Sequence, residues 1–324
     1  MITVIKSGTS DNDIFQINLD NPKQVVNVTN DSSNVNAQLA RSPDGRWVVF
    51  ASIRDGHSQL FVGSADGKQP IRSITASDSG NAQLPVWGAQ NLIAYEHSTG
   101  GQVAIFTIDP KVGTIAQVST AGVTAMHPTW SPDGKTLAYV AYTGTSDSSK
   151  IMLFAVTSGK TVQLTTSDVG QIQSLSWSPA GNRIALVSVK NQQTDLVTIN
   201  TADSTAKQLT NDGAVETGLV WSPDGVTLAY LSVVNSAAQV FAVNTSSATP
   251  KPVIVSKTVE YPAFDLGWDC NGRLVYTAPN GTGSNVGLYL VGINNGATPK
   301  LLTDPALSVS ALSGVTSAVF SSQP

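Results

Sequence analysis

Short stretches of alternating apolar and polar residues recur along this chain, separated by turns rich in Gly, Pro, Asn and Asp. Alternation of this kind predicts half-buried β-strands, and the turn residues mark the hairpins between them. One stretch shows the pattern well, with Ser-Pro-Asp-Gly at 131–134 as a tight turn and a further hairpin signal at 157–160. The four strands that this stretch predicts are 127–130, 136–141, 151–156 and 161–165.

This unit repeats with a nearly constant spacing of 44 to 47 residues. Each copy contains a first strand, a tight turn and an apolar triplet; the triplets end at Phe50, Tyr95, Tyr139, Leu186, Tyr230 and Tyr276. A fixed period in this range indicates a repeat fold, and four short antiparallel strands per period are typical of a β-propeller blade.

The two ends of the chain together predict one more blade. Residues 2–5, 14–19 and 24–28 fit its second, third and fourth strands, and Val319-Phe320-Ser321-Ser322 fits its first. We therefore expect an all-β fold, a seven-bladed β-propeller in a single domain over 1–324, with four antiparallel strands per blade. In this prediction the ring is closed by pairing of the N- and C-terminal strands in one blade. The predicted blades are 310–324 with 1–30, 31–76, 77–120, 121–166, 167–211, 212–257 and 258–309.

Composition limits the partners of such a propeller. Only 12% of the residues are charged and the net charge is −4, without a run of Lys or Arg that could hold a phosphate backbone, so we expect no nucleic acid partner. No apolar segment is long enough to span a bilayer. The first nine residues lack the basic and apolar regions of a signal peptide, while the low charge and the Asn and Thr content favour a periplasmic or secreted location. We expect a monomer.

The repeated motif resembles a known family. Trp130-Ser131-Pro132-Asp133-Gly134 followed by Leu137-Ala138-Tyr139, and Trp221 to Gly225 followed by Leu228-Ala229-Tyr230, are similar to the TolB-type propeller repeat, a relative of the WD-type repeat. Gln208-Leu209-Thr210 and Leu301-Leu302-Thr303 repeat the family's blade ending. The resemblance covers essentially the whole chain and implies a periplasmic or secreted binding platform. TolB itself has six blades and a separate N-terminal α/β domain, so its own partner is not carried over.

Similar repeats also occur in propellers of prolyl-oligopeptidase-like and dipeptidyl-peptidase-like enzymes. Those enzymes need a hydrolase domain with a Gly-x-Ser-x-Gly elbow, and the sequence contains no such motif.

The tryptophans of the repeat are the most conspicuous side chains. Because a buried aromatic ring dominates core packing, we expect them to fill the wedges between sheets; carbohydrate stacking is the alternative and would need exposed rings. They are Trp87, Trp130, Trp177, Trp221 and Trp268. The aspartates of the turns are expected to form those turns. Arg41 stands at the tryptophan position of its repeat, where it either meets solvent or an acid at an edge or binds an anion in the channel.

Three histidines, His57, His97 and His127, are predicted on one face of three consecutive blades, with Glu96 beside His97. Imidazole and carboxylate groups are ligands for a divalent transition metal, and some seven-bladed pectate-degrading lyases with similar repeats use a His-coordinated metal. Three unrelated surface histidines, and therefore no cofactor, are the simpler interpretation, because neighbouring blades fan outwards.

The same face offers a non-catalytic binding site. Polar residues lie near the start of the predicted first strands, and loops at 6–13, 142–149 and 278–286 would surround them. These candidate ligand-binding residues are Gln38, Gln83, His127, Gln173, Glu216 and Asp265. The leading hypothesis is a scaffold that binds a protein, peptide or glycan through this loop-rich face. The alternatives are a metal-dependent lyase or hydrolase that uses the histidines, and an extracytoplasmic sensor domain of a longer signalling protein.

Overall fold

Antiparallel strands build the structure, a computed structural model in which every regular element of the described ranges is a β-strand. The predicted all-β architecture is confirmed, and residues 124–163, for example, form four strands close to the predicted bounds. The structure describes residues 2–7, 12–18, 20–21, 24–29, 35–54, 56–75, 80–142, 149–164, 169–234, 237–256, 266–269, 271–279, 285–293, 298–302 and 309–310.

The first sheet has seven strands. Its path runs β1, β2, β4, β5, β6 and β7, and β3 pairs with β2 at the side. Its strands are β1 (Ile2–Ser7), β2 (Asn12–Ile17), β3 (Val25–Asn27), β4 (Val35–Arg41), β5 (Trp47–Arg54), β6 (His57–Ser64) and β7 (Arg72–Ser73).

Four four-stranded sheets follow in chain order, each an antiparallel meander. The second sheet holds β8 (Asn81–Trp87), β9 (Ile93–Thr99), β10 (Gln102–Ile108) and β11 (Ile115–Gln117), and the third β12 (Thr124–Trp130), β13 (Thr136–Tyr142), β14 (Ser149–Ala155) and β15 (Lys160–Gln163). The fourth holds β16 (Gln171–Trp177), β17 (Arg183–Lys190), β18 (Gln193–Asn200) and β19 (Ala206–Gln208), and the fifth β20 (Val215–Trp221), β21 (Thr227–Val234), β22 (Ala237–Asn244) and β23 (Val253–Ile254).

The sixth sheet has five strands, with β28 pairing at the side of β26. Its members are β24 (Leu266–Trp268), β25 (Arg273–Pro279), β26 (Asn285–Gly292), β27 (Lys300–Leu301) and β28 (Val309–Ser310).

The prediction of seven blades is wrong, because the described strands form six sheets arranged as a ring. Counting repeats assigns β1–β3 and β4–β7 to two units, but the structure joins them into one sheet through the parallel pair Asn12 and Val35. An apolar cluster that includes Ile14, Leu39 and Phe50 packs the two parts together. The repeat period therefore predicts the number of sequence repeats, but it does not determine how many separate sheets these repeats form.

The predicted closure of the ring rests on a C-terminal strand that the structure does not describe. β28 pairs with β26 of its own sheet, and the segment Val319-Phe320-Ser321-Ser322 lies outside the described residues. Among the described residues, side-chain packing joins the first and sixth sheets: Ile17 of β2 lies in one apolar cluster with Val275, Leu288 and Leu302. Comparable apolar clusters fill the other five spaces between neighbouring sheets.

One strand of each sheet lies innermost, namely β4 in the first sheet and the first strand in each of the other five. β4, β8, β12, β16, β20 and β24 each contact the next one in this series, so together they surround the axis of the ring. Strand register places the beginning of each first strand beside the hairpin between the second and third strands, as Val35 opposite Ile53 shows. We call this end of the ring the hairpin face, and the opposite end, where the Ser-Pro-Asp-Gly turns lie, the turn face.

The turns themselves are held by a repeated side-chain network. The Ser131 hydroxyl donates to the Asp133 carboxylate at 2.7 Å and accepts the Thr136 N–H at 3.0 Å, while Asp133 also accepts the Lys135 N–H at 3.1 Å. The same bonds recur at 42–47 and 222–227. The hydroxyl of Ser42 accordingly contributes most to lowering the pKa of Asp44 to about 2. The prediction that these aspartates form turns is confirmed.

Most repeats end with an apolar residue followed by Thr or Ser, and hydrogen bonds in the structure explain why this dipeptide recurs. The apolar N–H donates to a carbonyl in the third strand, and the next hydroxyl accepts the N–H of that same third-strand residue. In the second sheet, Val118 donates to the carbonyl of Ile105 at 2.8 Å, and Ser119 Oγ accepts the Ile105 N–H at 3.0 Å. The other hydroxyls in this role are Thr29, Thr75, Thr210 and Ser256.

Replacing Ser119 by Ala should therefore destabilise the fold. The Ile105 N–H would lose its acceptor in a buried position, a change that costs about 1 to 3 kcal/mol. Ser119→Thr is the matched control, since it keeps the hydroxyl that Thr75 and Thr210 supply elsewhere. The free energy of unfolding from denaturant titration measures both variants. Equal losses for Ala and Thr would show that the hydroxyl does not matter.

Candidate functional site

The innermost strands are irregular near their beginnings. Register shifts interrupt the pairing of the first and second strands in the first five sheets. At these bulges Gln38, Leu84 and His127 have φ of 45°, 49° and 57°, and Gly218 has φ of 55°. A non-glycine residue in this region is uncommon and persists only where surrounding contacts hold it. The bulges therefore mark places where the ring fixes its backbone firmly.

Side chains from the preceding sheet hold two of these bulges. Gln38 Oε1 accepts the backbone N–H of Leu84 at 2.8 Å, and Glu96 Oε1 accepts the backbone N–H of His127 at 2.7 Å. Gln83 in turn donates its side-chain amide to Glu96. These contacts connect the first three sheets in succession at the hairpin face.

Glu96 is the most deeply buried group of this arrangement. Its exposed fraction is 0%, and its second carboxylate oxygen, Oε2, has no hydrogen-bond partner. Burial raises the pKa of Glu96, against the opposing effect of the hydrogen bonds from His127 and Gln83. Tyr142 lies in the next interface, between the third and fourth sheets, where it donates its hydroxyl to the carbonyl of Ile172 at 2.9 Å. Burial, with a smaller effect of Glu96, raises the pKa of Tyr142.

Glu216 has a similar position between the fourth and fifth sheets. It is fully buried; its N–H donates to Thr194 Oγ at 2.7 Å, and the Thr194 hydroxyl lies 2.7 Å from Glu216 Oε2. Burial is the main reason that the pKa of Glu216 is raised. The carboxylate therefore lies in the interface between sheets, not on the open surface that sequence reasoning assigned to it.

The other predicted ligand-binding residues have mixed positions. Gln38, Gln83 and His127 are half-buried, Gln173 is exposed, and Asp265 lies outside the described residues. The structure links Gln83 and His127 through Glu96 but does not gather all candidates around one point. Residues 8–11, 143–148 and 280–284 of the predicted surrounding loops also lie outside the described ranges.

The histidines do not converge. His57 is exposed at the beginning of β6 and pairs with Arg54 through the backbone, whereas His97 lies within β9 with its ring edge-on to Phe106 at 5.3 Å. Burial lowers the pKa of His127. Across the described ranges, no three His, Cys, Asp or Glu side chains are grouped so that they could hold a metal ion.

The repeated tryptophans pack as expected in three of five cases. Trp130, Trp221 and Trp268 are buried, and each donates its indole N–H to a carbonyl of the preceding sheet. The acceptors are Val86 at 3.1 Å, Ser176 at 3.1 Å and Val220 at 3.3 Å. Trp87 and Trp177 are half-buried and bond within their own turns.

Exposed aliphatic side chains lie on the hairpin face. Ile53 near the end of β5 is 52% exposed, and Val215 and Val233 are 51% and 40% exposed. Val215 and Val233 face each other across β20 and β21, and Ile53 has the equivalent position in the first sheet. Together with Gln173, these residues are accessible to a partner without disturbing the contacts between sheets.

Comparison with known proteins gives one family. The sequence profile of the TolB beta propeller domain matches residues 117–286. The Tol-Pal system protein TolB of Francisella tularensis subsp. tularensis (strain WY96-3418) is 30% identical over 139 residues, which are 41% of this chain and 31% of that protein. The chain therefore spans about a third of the length of the curated relatives of this kind that it matches.

Solved structures show the same fold. Oligogalacturonate lyase from Vibrio parahaemolyticus has a TM-score of 0.67 at 12% identity, covering 92% of this chain and 83% of the other. TolB from Acinetobacter baumannii has a TM-score of 0.55 at 17% identity, covering 92% and 78%. At such identities the likeness concerns the fold alone. Within the described ranges, no helix has the length and apolar character needed to cross a membrane.

Replacing Glu96 by Gln should change the pH dependence of stability. Because burial raises the pKa of Glu96, the folded state keeps its proton at pH values where the unfolded chain releases it. The wild-type free energy of unfolding should therefore contain a contribution that is present below the ordinary Glu pKa and is lost as pH rises through the folded pKa. Gln does not titrate and can still accept the His127 N–H, so this slope should flatten.

Denaturant unfolding from about pH 2 to pH 7 measures this slope and that of the control. Asp133→Asn is the control of opposite sign: the Ser131 hydroxyl contributes most to lowering the pKa of Asp133, so its contribution is present at higher pH and is lost as pH falls. An unchanged slope in Glu96→Gln would mean that Glu96 titrates alike in the folded and unfolded states.

Proposed function

We propose that this chain, which belongs to the TolB β-propeller domain family, is a non-catalytic binding platform that recognises a protein, peptide or glycan through its hairpin face. The observation that carries the proposal is the division of that face into two kinds of group. Its buried carboxylates, Glu96 and Glu216, are engaged in contacts between sheets, whereas its accessible groups include the aliphatic side chains of Ile53, Val215 and Val233 and the amide of Gln173. Such groups suit binding better than acid–base chemistry.

A protein or peptide is the partner that this surface favours. Ile53, Val215 and Val233 offer apolar area at the rim of the inner strands, and Gln173 adds a polar contact. The match to a protein named for the Tol-Pal system supports the same direction. We propose a periplasmic or secreted location on the same match and on the low charge of the chain.

The enzyme alternative, a metal-dependent lyase or hydrolase, is supported by fold likeness to oligogalacturonate lyase alone. A sensor domain within a longer signalling protein would use the same hairpin face for its ligand. Both remain alternatives to the binding platform.

Changing an accessible apolar residue of the hairpin face should weaken partner binding. In Val215→Asp, a charge replaces apolar surface beside Val233, and we expect at least a tenfold rise in the dissociation constant, the loss typical of an important interface contact. Val162→Asp is the matched control, since Val162 is 59% exposed on β15, the outermost strand of its sheet.

The partner is first identified by cross-linking in the native host and then purified for titration against both variants. Equal affinity of the wild type and Val215→Asp, or an equal loss in Val162→Asp, would remove the hairpin face as the binding surface.

Metal content separates the platform from the enzyme. The described residues do not group three potential ligands, so protein purified without chelators should carry transition metal well below one ion per chain. Elemental analysis by plasma mass spectrometry gives this ratio. A stoichiometric metal that is lost in His127→Ala but retained in Gln173→Ala would favour the enzyme.

A further inference from the structure

Arg41 has the position that the repeated tryptophans have in the following sheets. It is the last residue of β4, directly before the Ser42-Pro43-Asp44-Gly45 turn, and its exposed fraction is only 8%. One guanidinium nitrogen, Nη2, donates to the carbonyl of Gly45 at 2.6 Å. The other two nitrogens, Nε and Nη1, are buried and have no hydrogen-bond partner.

No carboxylate in the described ranges forms an ion pair with this guanidinium. Asp44, in the adjoining turn, is engaged with the Ser42 hydroxyl at 2.6 Å and with Arg46 Nε at 2.7 Å. The sequence-based expectation that solvent or an acid meets Arg41 therefore does not hold for the described residues. Burial lowers the pKa of Arg41, but a guanidinium in a protein keeps its charge.

The contrast with the tryptophans shows what is unusual. The indole of Trp130, Trp221 or Trp268 has one N–H, and a carbonyl of the preceding sheet accepts it. Arg41 has five N–H groups and a positive charge, of which the structure accounts for one donor. An unpaired buried charge is strongly unfavourable, so the position calls for a negatively charged acceptor.

We infer that Arg41 binds a small anion, such as inorganic phosphate, sulfate or chloride, at the turn face of the first sheet. The donors of a guanidinium are well suited to oxyanions, and a bound anion would accept from Nε and Nη1 and neutralise the charge. The site lies at the turn-face end of β4, whereas the hairpin face lies at the other end of that strand, beyond Gln38. It is therefore separate from the proposed partner-binding surface and does not depend on it.

Anion-dependent stability tests the site. Thermal unfolding is measured while phosphate is raised and ionic strength is held constant with a bulky sulfonate buffer. Binding to the folded state alone should raise the wild-type melting temperature by about 2 °C for each tenfold increase in phosphate above its dissociation constant. Arg41→Trp, which restores the residue that the other repeats use, should lose this increment.

Arg46→Gln is the matched control, because Arg46 is an arginine of the same turn with a side chain that is 79% exposed. It should keep the wild-type response, and any general effect of phosphate on stability is common to all three proteins. An equal response in the wild type and in Arg41→Trp would overturn the inference.

A direct measurement covers the case in which Arg41→Trp does not fold. Titration of the wild type with sodium phosphate in a calorimeter should give a saturable heat with one site per chain, and chloride should compete with it. The absence of a saturable heat at concentrations that shift the melting temperature would equally reject an anion site at Arg41.

Discussion

Packing of one sheet against the next is the interaction on which this structure depends. Each sheet has only four to seven strands in the described ranges, and each needs a neighbour on both sides to bury its apolar faces. The clusters around Tyr95, Tyr139, Tyr230 and Tyr276 lie in the spaces between sheets, and each of these rings is 1% to 3% exposed. Among the described residues, the first and sixth sheets meet through an apolar cluster that includes Ile17 and Leu288. No sheet is therefore stable by itself, because the apolar residues of each repeat are buried only when the sheets pack together in the ring.

Hydrogen bonds between neighbouring sheets fix the relative orientation of the packed sheets. The indole of Trp130 near the turn face and the carboxylate of Glu96 near the hairpin face both bond to backbone groups of a neighbouring sheet. The interface between the second and third sheets is thus fixed at both ends, with apolar residues between. Glu96 looks like a catalytic acid when its raised pKa is considered alone, but its geometry assigns it to this contact.

Much of the fold could be predicted from the sequence, because hydrophobic alternation and turn chemistry are local. The four strands around Tyr139 and the role of Asp133 follow from a window of a few residues. The number of sheets could not be predicted in this way. It depends on one pairing, Asn12 with Val35, between strands that belong to different repeats. The candidate site was predicted less well for a related reason: Glu216 and Gln38 are polar residues in inner strands, and only three-dimensional neighbours show whether such groups meet a ligand or an adjacent backbone. The apolar residues that precede Glu96 in β9, Ile93 to Tyr95, were the available signal that its carboxylate is buried.

The way in which the bulges are held has a consequence for diversification of this scaffold. Gln38 and Glu96 contact the receiving sheets through main-chain N–H groups, which every residue except proline possesses. The residues that donate these N–H groups are Leu84 in the second sheet and His127 in the third. Their side chains are therefore not needed to join the sheets. Substitutions at these positions can thus change the side chains near the axis while the hydrogen bonds between sheets stay the same, provided that the new residue tolerates the positive φ of Leu84 or His127.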